Sequence, residues 1–233
     1  MLTPLLHFLG VANFAYAIYY EFYHINIPRE VSKTRHLYGG PWKYLTFINL
    51  WIQLFYFLIA LLNHFMGTEA KTRPQSSLLQ TLRDGLFATL AFPIGIFVGT
   101  IFWGLYAINR NLIFPTILDM YIPTYVNHML HTTVIPIQIW ELVRTFHVYP
   151  SRRKGMALTG LFCFGYLVWI CFIAYAGGFW VYPIFKKLSP EQRAAFMLGC
   201  AVLGGVLYVV GEFLNSCIWA QTIEKSKLKS KAK

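Results

Sequence analysis

Six runs of about 20 mostly apolar residues, at positions 2–20, 45–66, 85–108, 120–143, 156–176 and 194–219, take up most of this 233-residue chain. A backbone inside lipid must satisfy its own hydrogen bonds, so only helices or closed barrels can cross a bilayer, and runs of this length are helical. The connections between them are short. The pattern predicts an all-α fold, a polytopic membrane helix bundle with six transmembrane helices. It forms one domain over residues 1–222, followed by a basic, unstructured tail at 223–233.

Composition agrees and removes some function classes. Charged residues are 12% of the chain, about half the share of a soluble domain, and hydrophobic residues are 57%. The net charge of +11 could point to nucleic acid, but the basic residues sit at helix ends and in the tail "EKSKLKSKAK", with no soluble module to organise them. The lipid bilayer is the expected partner, and no nucleic acid is expected. The first run lacks the basic n-region of a signal peptide, although Ala15-Tyr16-Ala17 imitates a cleavage site, so it is read as a retained helix. The Lys and Arg bias of the loops favours both termini on the cytoplasmic side, in either the endoplasmic reticulum or the plasma membrane. Cys163, Cys171, Cys200 and Cys217 lie within the runs without ligand-like spacing, which predicts neither a disulfide framework nor a metal site, and no cofactor.

Prolines mark where helices start and break. Pro41 after two glycines and Pro190 after Ser189 suit first helical positions. Pro93 and Pro136 fall inside apolar runs, where each should free the carbonyl four residues earlier, those of Thr89 and Thr132.

The stretch "YVNHMLHTTVIP" at 125–136 places polar groups where lipid is expected. At ~100° per residue, Thr124, Asn127, His128, Gln138 and Glu141 all fall within about 80° of His131. In the second run Thr46, Gln53, Tyr56 and Asn63 cluster the same way within about 60° of Asn49. Two polar stripes inside apolar helices should face the bundle interior or a hydrated cavity. The second and fourth runs start from the same membrane side, which puts Thr46 and His131 within about 4 to 5 Å in depth. A Thr46–His131 pair is allowed, and the same test admits His128 and Asn49.

The stretches "GGPWKYLTFINL", "LRDGLFATLAFPIGIFV", "NLIFPTILDMYIPTYVNHMLHTTVIP", "YPSR" and "GFWVYP" resemble the family of the androgen-induced gene 1 protein and the androgen-dependent TFPI-regulating protein. The likeness runs from about residue 38 to 215, with several motifs in one order, and does not cover the tail. It implies a multi-pass hydrolase of fatty acid esters of hydroxy fatty acids, using a threonine nucleophile and a histidine. The family threonine falls on Thr46 in "WKYLT" and the family histidine on His131, the second of N-H-x-x-H-T.

The chemistry suits those residue types. A threonine hydroxyl is a weak nucleophile that needs an adjacent base, and neutral imidazole is the usual one. A third group should orient the imidazole, and Asn127, four residues back on the same face, is the candidate. His128, Lys43, Asn49 and Glu212 are supporting candidates, each with a structural alternative. His128 can hydrogen-bond between helices. Lys43, on the face of Thr46, can attract a substrate carboxylate or snorkel to the interface. Glu212 reads more as a paired interfacial carboxylate than as a catalyst. The competing function class is a membrane transporter or proton-relay protein with an intramembrane His/Asn site, though repeats and paired broken helices are not evident.

Overall fold

The computed structural model describes residues 2–231, and all of their regular elements are helical or tight helical turns. Helices α1 (Leu2–Tyr23) and α2 (Leu45–Met66) lead into α3 (Leu78–Leu86), which joins α4 (Phe92–Asn109) through a wide π turn at Phe87–Ala91. The chain continues through α5 (Thr124–His131), α6 (Val134–Arg144), α7 (Arg152–Gly177), α8 (Pro183–Lys187), α9 (Pro190–Ile218) and α10 (Ala220–Lys231). Among the described residues, five helical segments are long and apolar enough to cross a membrane: α1, α2, the rod Leu78–Leu112, α7 and α9.

The fourth expected span is two tandem helices, of 8 and 11 residues. The cause is local. Pro136 has no N–H to offer the Thr132 carbonyl, which accepts instead from the Ile135 amide at 3.1 Å, a tighter turn than an α-helix. The Thr133 hydroxyl donates back to the Met129 carbonyl at 2.9 Å, and His131 becomes the last residue of α5. Pro93 acts in the same way. The Thr89 carbonyl it frees accepts the Thr159 hydroxyl of α7 at 2.8 Å, within the π turn.

Helix starts follow the sequence with one shift. Ser189 and Gln192 form a reciprocal capping box ahead of α9, with Pro190 at its first position. Pro41 lies in the short turn Gly40–Lys43, entered through Gly39 at φ +88°, and α2 itself begins four residues later at Leu45. Residues Ala220–Lys231, which include most of the basic stretch expected to be unstructured, form helix α10, and 232–233 lie outside the described residues. Gln221, Glu224, Lys225 and Leu228 lose little rotamer freedom in a helix.

The bundle is apolar outside, and polar stripes run through an otherwise apolar interior. Leu161, Phe164 and Val168 of α7 and Leu198, Val202 and Phe213 of α9 are exposed, making a lipid-facing wall. Inside, the two expected stripes face each other: Gln138 donates to Gln53, and the Tyr56 hydroxyl donates to Glu141 at 2.6 Å. Glu141 also accepts from His7 of α1 at 3.1 Å. Beside it, Asp84 pairs with Arg83 at 2.8 Å and accepts from His147 Nδ1 at 3.2 Å. Burial away from solvent makes such partners obligatory.

Candidate active site

Thr46 is the second residue of α2, so its position depends on how that helix start is held. The first amides of a helix have no partner within it. Here the Leu45 amide donates to the Tyr182 hydroxyl at 2.9 Å and to the Tyr166 hydroxyl at 3.1 Å. The two phenols lie 2.8 Å apart, and Tyr166 donates to the Lys43 carbonyl at 3.0 Å. This pins the start of α2 from α7 and from the residue before α8. Sequence periodicity missed both tyrosines, and the available signal was that Tyr182 lies in "GFWVYP".

His131 meets Thr46 from the opposite side. The distance from Thr46 Oγ1 to His131 Nε2 is 3.2 Å. His131 Nδ1 faces two oxygens of Asn127, the side-chain Oδ1 at 2.9 Å and the backbone carbonyl at 3.1 Å. A backbone carbonyl can only accept, so Nδ1 carries the proton and Nε2 keeps a free lone pair toward the Thr46 hydroxyl. Phe102 of α4 stacks on the imidazole, with ring centres 3.5 Å apart and planes 8° from parallel. That contact requires Gly99, because a Cβ there would lie 2.8 Å from the His131 carbonyl.

Thr46 and His131 line a cavity of about 490 Å³, with Glu21, Arg35 and Lys186 also in its wall. His131 is only 6% exposed, so its hydrogen bonds are largely shielded from solvent and strengthened by burial.

The other candidates fall into different places. Asn127 joins the pair directly. Asn49 is buried one turn below Thr46 and accepts from Gln53 Nε2 at 2.9 Å, which joins it to the internal stripe instead of the cavity. His128 is exposed on the far side of α5, bonded to the Thr132 hydroxyl at 2.8 Å and stacked near Trp103, which itself donates to Thr132 at 3.1 Å. Glu212 pairs with Arg152 at 2.7 Å and is absent from the cavity wall. Lys43 neither snorkels nor faces the cavity. It is fully buried, and its ammonium donates to the carbonyls of Arg35 at 3.1 Å and Leu37 at 3.3 Å. Burial and the nearby Arg35 charge pull its pKa down to about 8.

Fold and site together define a multi-pass helical membrane protein with a threonine and a histidine at the wall of a polar cavity and an asparagine bonded to that histidine from behind. The chain belongs to the FAR-17a/AIG1-like protein family, whose model matches residues 2–216. It is similar to the androgen-induced gene 1 protein of Homo sapiens, at 40% identity over 203 residues covering 83% of this chain and 85% of that one. Similarity to the androgen-dependent TFPI-regulating protein of Homo sapiens is 35% identity over 226 residues, 97% and 96% of the two chains. The Rattus norvegicus form of the latter is 35% identical over 223 residues, covering 95% of each. No solved structure gives a significant match.

Proposed function

We propose that this protein is an integral-membrane hydrolase that cleaves fatty acid esters of hydroxy fatty acids, with Thr46 as nucleophile and His131 as base. The observation that carries the reading is the 3.2 Å contact of Thr46 Oγ1 with the unprotonated nitrogen of an imidazole already fixed by Asn127. Motif likeness to the family supplies the substrate class.

The steps follow from that geometry. Thr46 Oγ1 attacks the ester carbonyl carbon while its proton passes to His131 Nε2. The tetrahedral intermediate collapses, the bond to the hydroxy fatty acid oxygen breaks, and that oxygen takes the proton back from His131. Water then loses a proton to His131 as it attacks the acyl-threonine. The returning proton goes to Thr46 Oγ1, releasing the fatty acid. Asn127 holds the tautomer through both halves and stabilises the transient imidazolium with two acceptor oxygens.

A relay or transport reading draws on the buried Glu141, His7, His147 and Asp84 cluster. Its carboxylates are bonded within the core, which favours a structural role. Purified wild type and Thr46→Ala protein in one detergent, assayed on a branched fatty ester, separate the readings. The hydrolase account expects turnover in the first and none above background in the second. Absence of ester turnover by wild type, with proton flux in vesicles, would favour the relay.

A further inference from the structure

Thr46 belongs to two cavities at once. The polar one is described above. The other is a narrow slot of about 100 Å³ between α4, α7 and α9. The two share Thr46, Phe102, Ile113 and Tyr182 in their walls. Their chemistry is opposite. Val98, Ile101, Leu105, Leu167, Phe196 and Ala201 typify the slot, and none of its described lining residues is charged. The polar cavity carries Glu21, Glu30, Arg35 and Lys186. His131 lines that cavity and is absent from the slot.

We propose that Thr46 stands in the doorway between two chambers that separate the arms of a branched ester: the half-open slot takes the start of the acyl chain, whose far end continues out of it, and the polar cavity takes the hydroxy acid arm, with its carboxylate at Lys186. This rests on the hydrolase reading above and specifies which arm lies where. An uncompensated carboxylate among uncharged, mostly apolar walls is strongly disfavoured, so the arm that carries the acid is excluded from the slot. The acyl arm ends in a methyl group and gains from burial there.

The position of the base gives the same assignment. Nε2 must hand its proton to the departing oxygen and later receive one from water, and His131 faces only the polar chamber. The leaving hydroxy acid and the incoming water therefore share the polar side, while the acyl group stays in the slot on Thr46.

Among the cationic groups, Lys43 is spent on two backbone carbonyls and Arg35 is paired with Glu21. Lys186 is exposed at the cavity rim and has no hydrogen-bond or ion-pair partner among the described residues. It is the group free to take an anion, with Arg35 in the same wall.

Two ratios of kcat/KM test the assignment, each taken within one preparation so that the amount of folded enzyme cancels. The first compares long-chain and butyryl esters of one hydroxy acid. The second compares a branched free acid with its methyl ester. Ala201→Phe fills the slot and is expected to lower the first ratio by roughly tenfold or more while leaving the second ratio in place. Lys186→Met is expected to lower the second ratio several-fold and leave the first. Should Ala201→Phe give no active protein, Ala201→Leu provides the same comparison with less added bulk.

If Ala201→Phe leaves the first ratio in place and lowers the second, the arms are reversed and the proposal is overturned. Unchanged ratios in both variants also overturn it. Thr46→Ala run alongside keeps the two levels apart: an inactive Thr46→Ala with unchanged ratios removes only the two-chamber assignment, whereas an active Thr46→Ala removes the hydrolase mechanism beneath it.

Discussion

Thr46 in the first turn of α2 and His131 at the end of α5 meet at 3.2 Å across 85 residues of chain, and two pairs below them repeat that spacing. Gln53 with Gln138 and Tyr56 with Glu141 are also 85 residues apart. Helix α2 and the tandem α5–α6 therefore run side by side in one direction and in one register. The turn at Thr132–Thr133 is accommodated without loss of that register, so the lower pairs fix the level at which the upper pair meets.

Asn127 is the residue that sets the imidazole tautomer. In Asn127→Ala the side-chain oxygen at 2.9 Å is lost, but the carbonyl at 3.1 Å remains. Loss of one hydrogen bond of about 0.5–1.5 kcal/mol should lower kcat by a few fold to roughly tenfold, with KM little changed. Steady-state kinetics on a branched ester check this, and a loss confined to KM would assign Asn127 to substrate binding instead.

The lower pairs act on stability. Replacing Glu141 by alanine leaves the Tyr56 hydroxyl and His7 Nε2 buried without their acceptor. At about 1–3 kcal/mol for each orphaned group, Glu141→Ala should lower the thermal midpoint in detergent by several degrees. Glu212→Ala, which breaks an ion pair with the exposed Arg152, should move it far less. Equal shifts in the two variants would contradict the internal role of Glu141.

Much of this arrangement was legible beforehand, for identifiable reasons. Apolar runs of spanning length give helices in lipid, and Pro93 and Pro136 free the carbonyls of Thr89 and Thr132 whatever the surroundings. Depth alone left Thr46, Asn49, His128 and His131 as equals. Their separation depends on α4, which the periodicity of α2 and α5 cannot report: Phe102 covers His131, while Trp103 and Thr132 hold His128 outside. Lys43 was equally undetermined, because a lysine at a helix start can reach outward to water or inward to carbonyls with the same sequence. Tyr166 and Tyr182 carry no period at all, since they meet the Leu45 amide from distant parts of the chain.

Lys43 gives a pH dependence with a definite sign. The unfolded chain keeps the lysine proton up to about 10.5, whereas the folded protein releases it near about 8. Between these values the unfolded state binds more protons, so raising the pH favours the folded state through this group. Below about 8 the cost of burying the charge is present in full. Wild type compared with Lys43→Met should gain relative stability from pH 7 to pH 10, read as the difference between their thermal midpoints. A difference that stayed constant or moved the other way would contradict a buried ammonium at Lys43.

The central claim is that the Thr46 hydroxyl is the atom that attacks. A fluorophosphonate ester probe, followed by peptide mass mapping, reads that atom directly. The account predicts a single stoichiometric adduct on Thr46 in wild type, lost in Thr46→Ala and strongly slowed in His131→Ala. An adduct on a different residue that tracks the loss of ester turnover would contradict it.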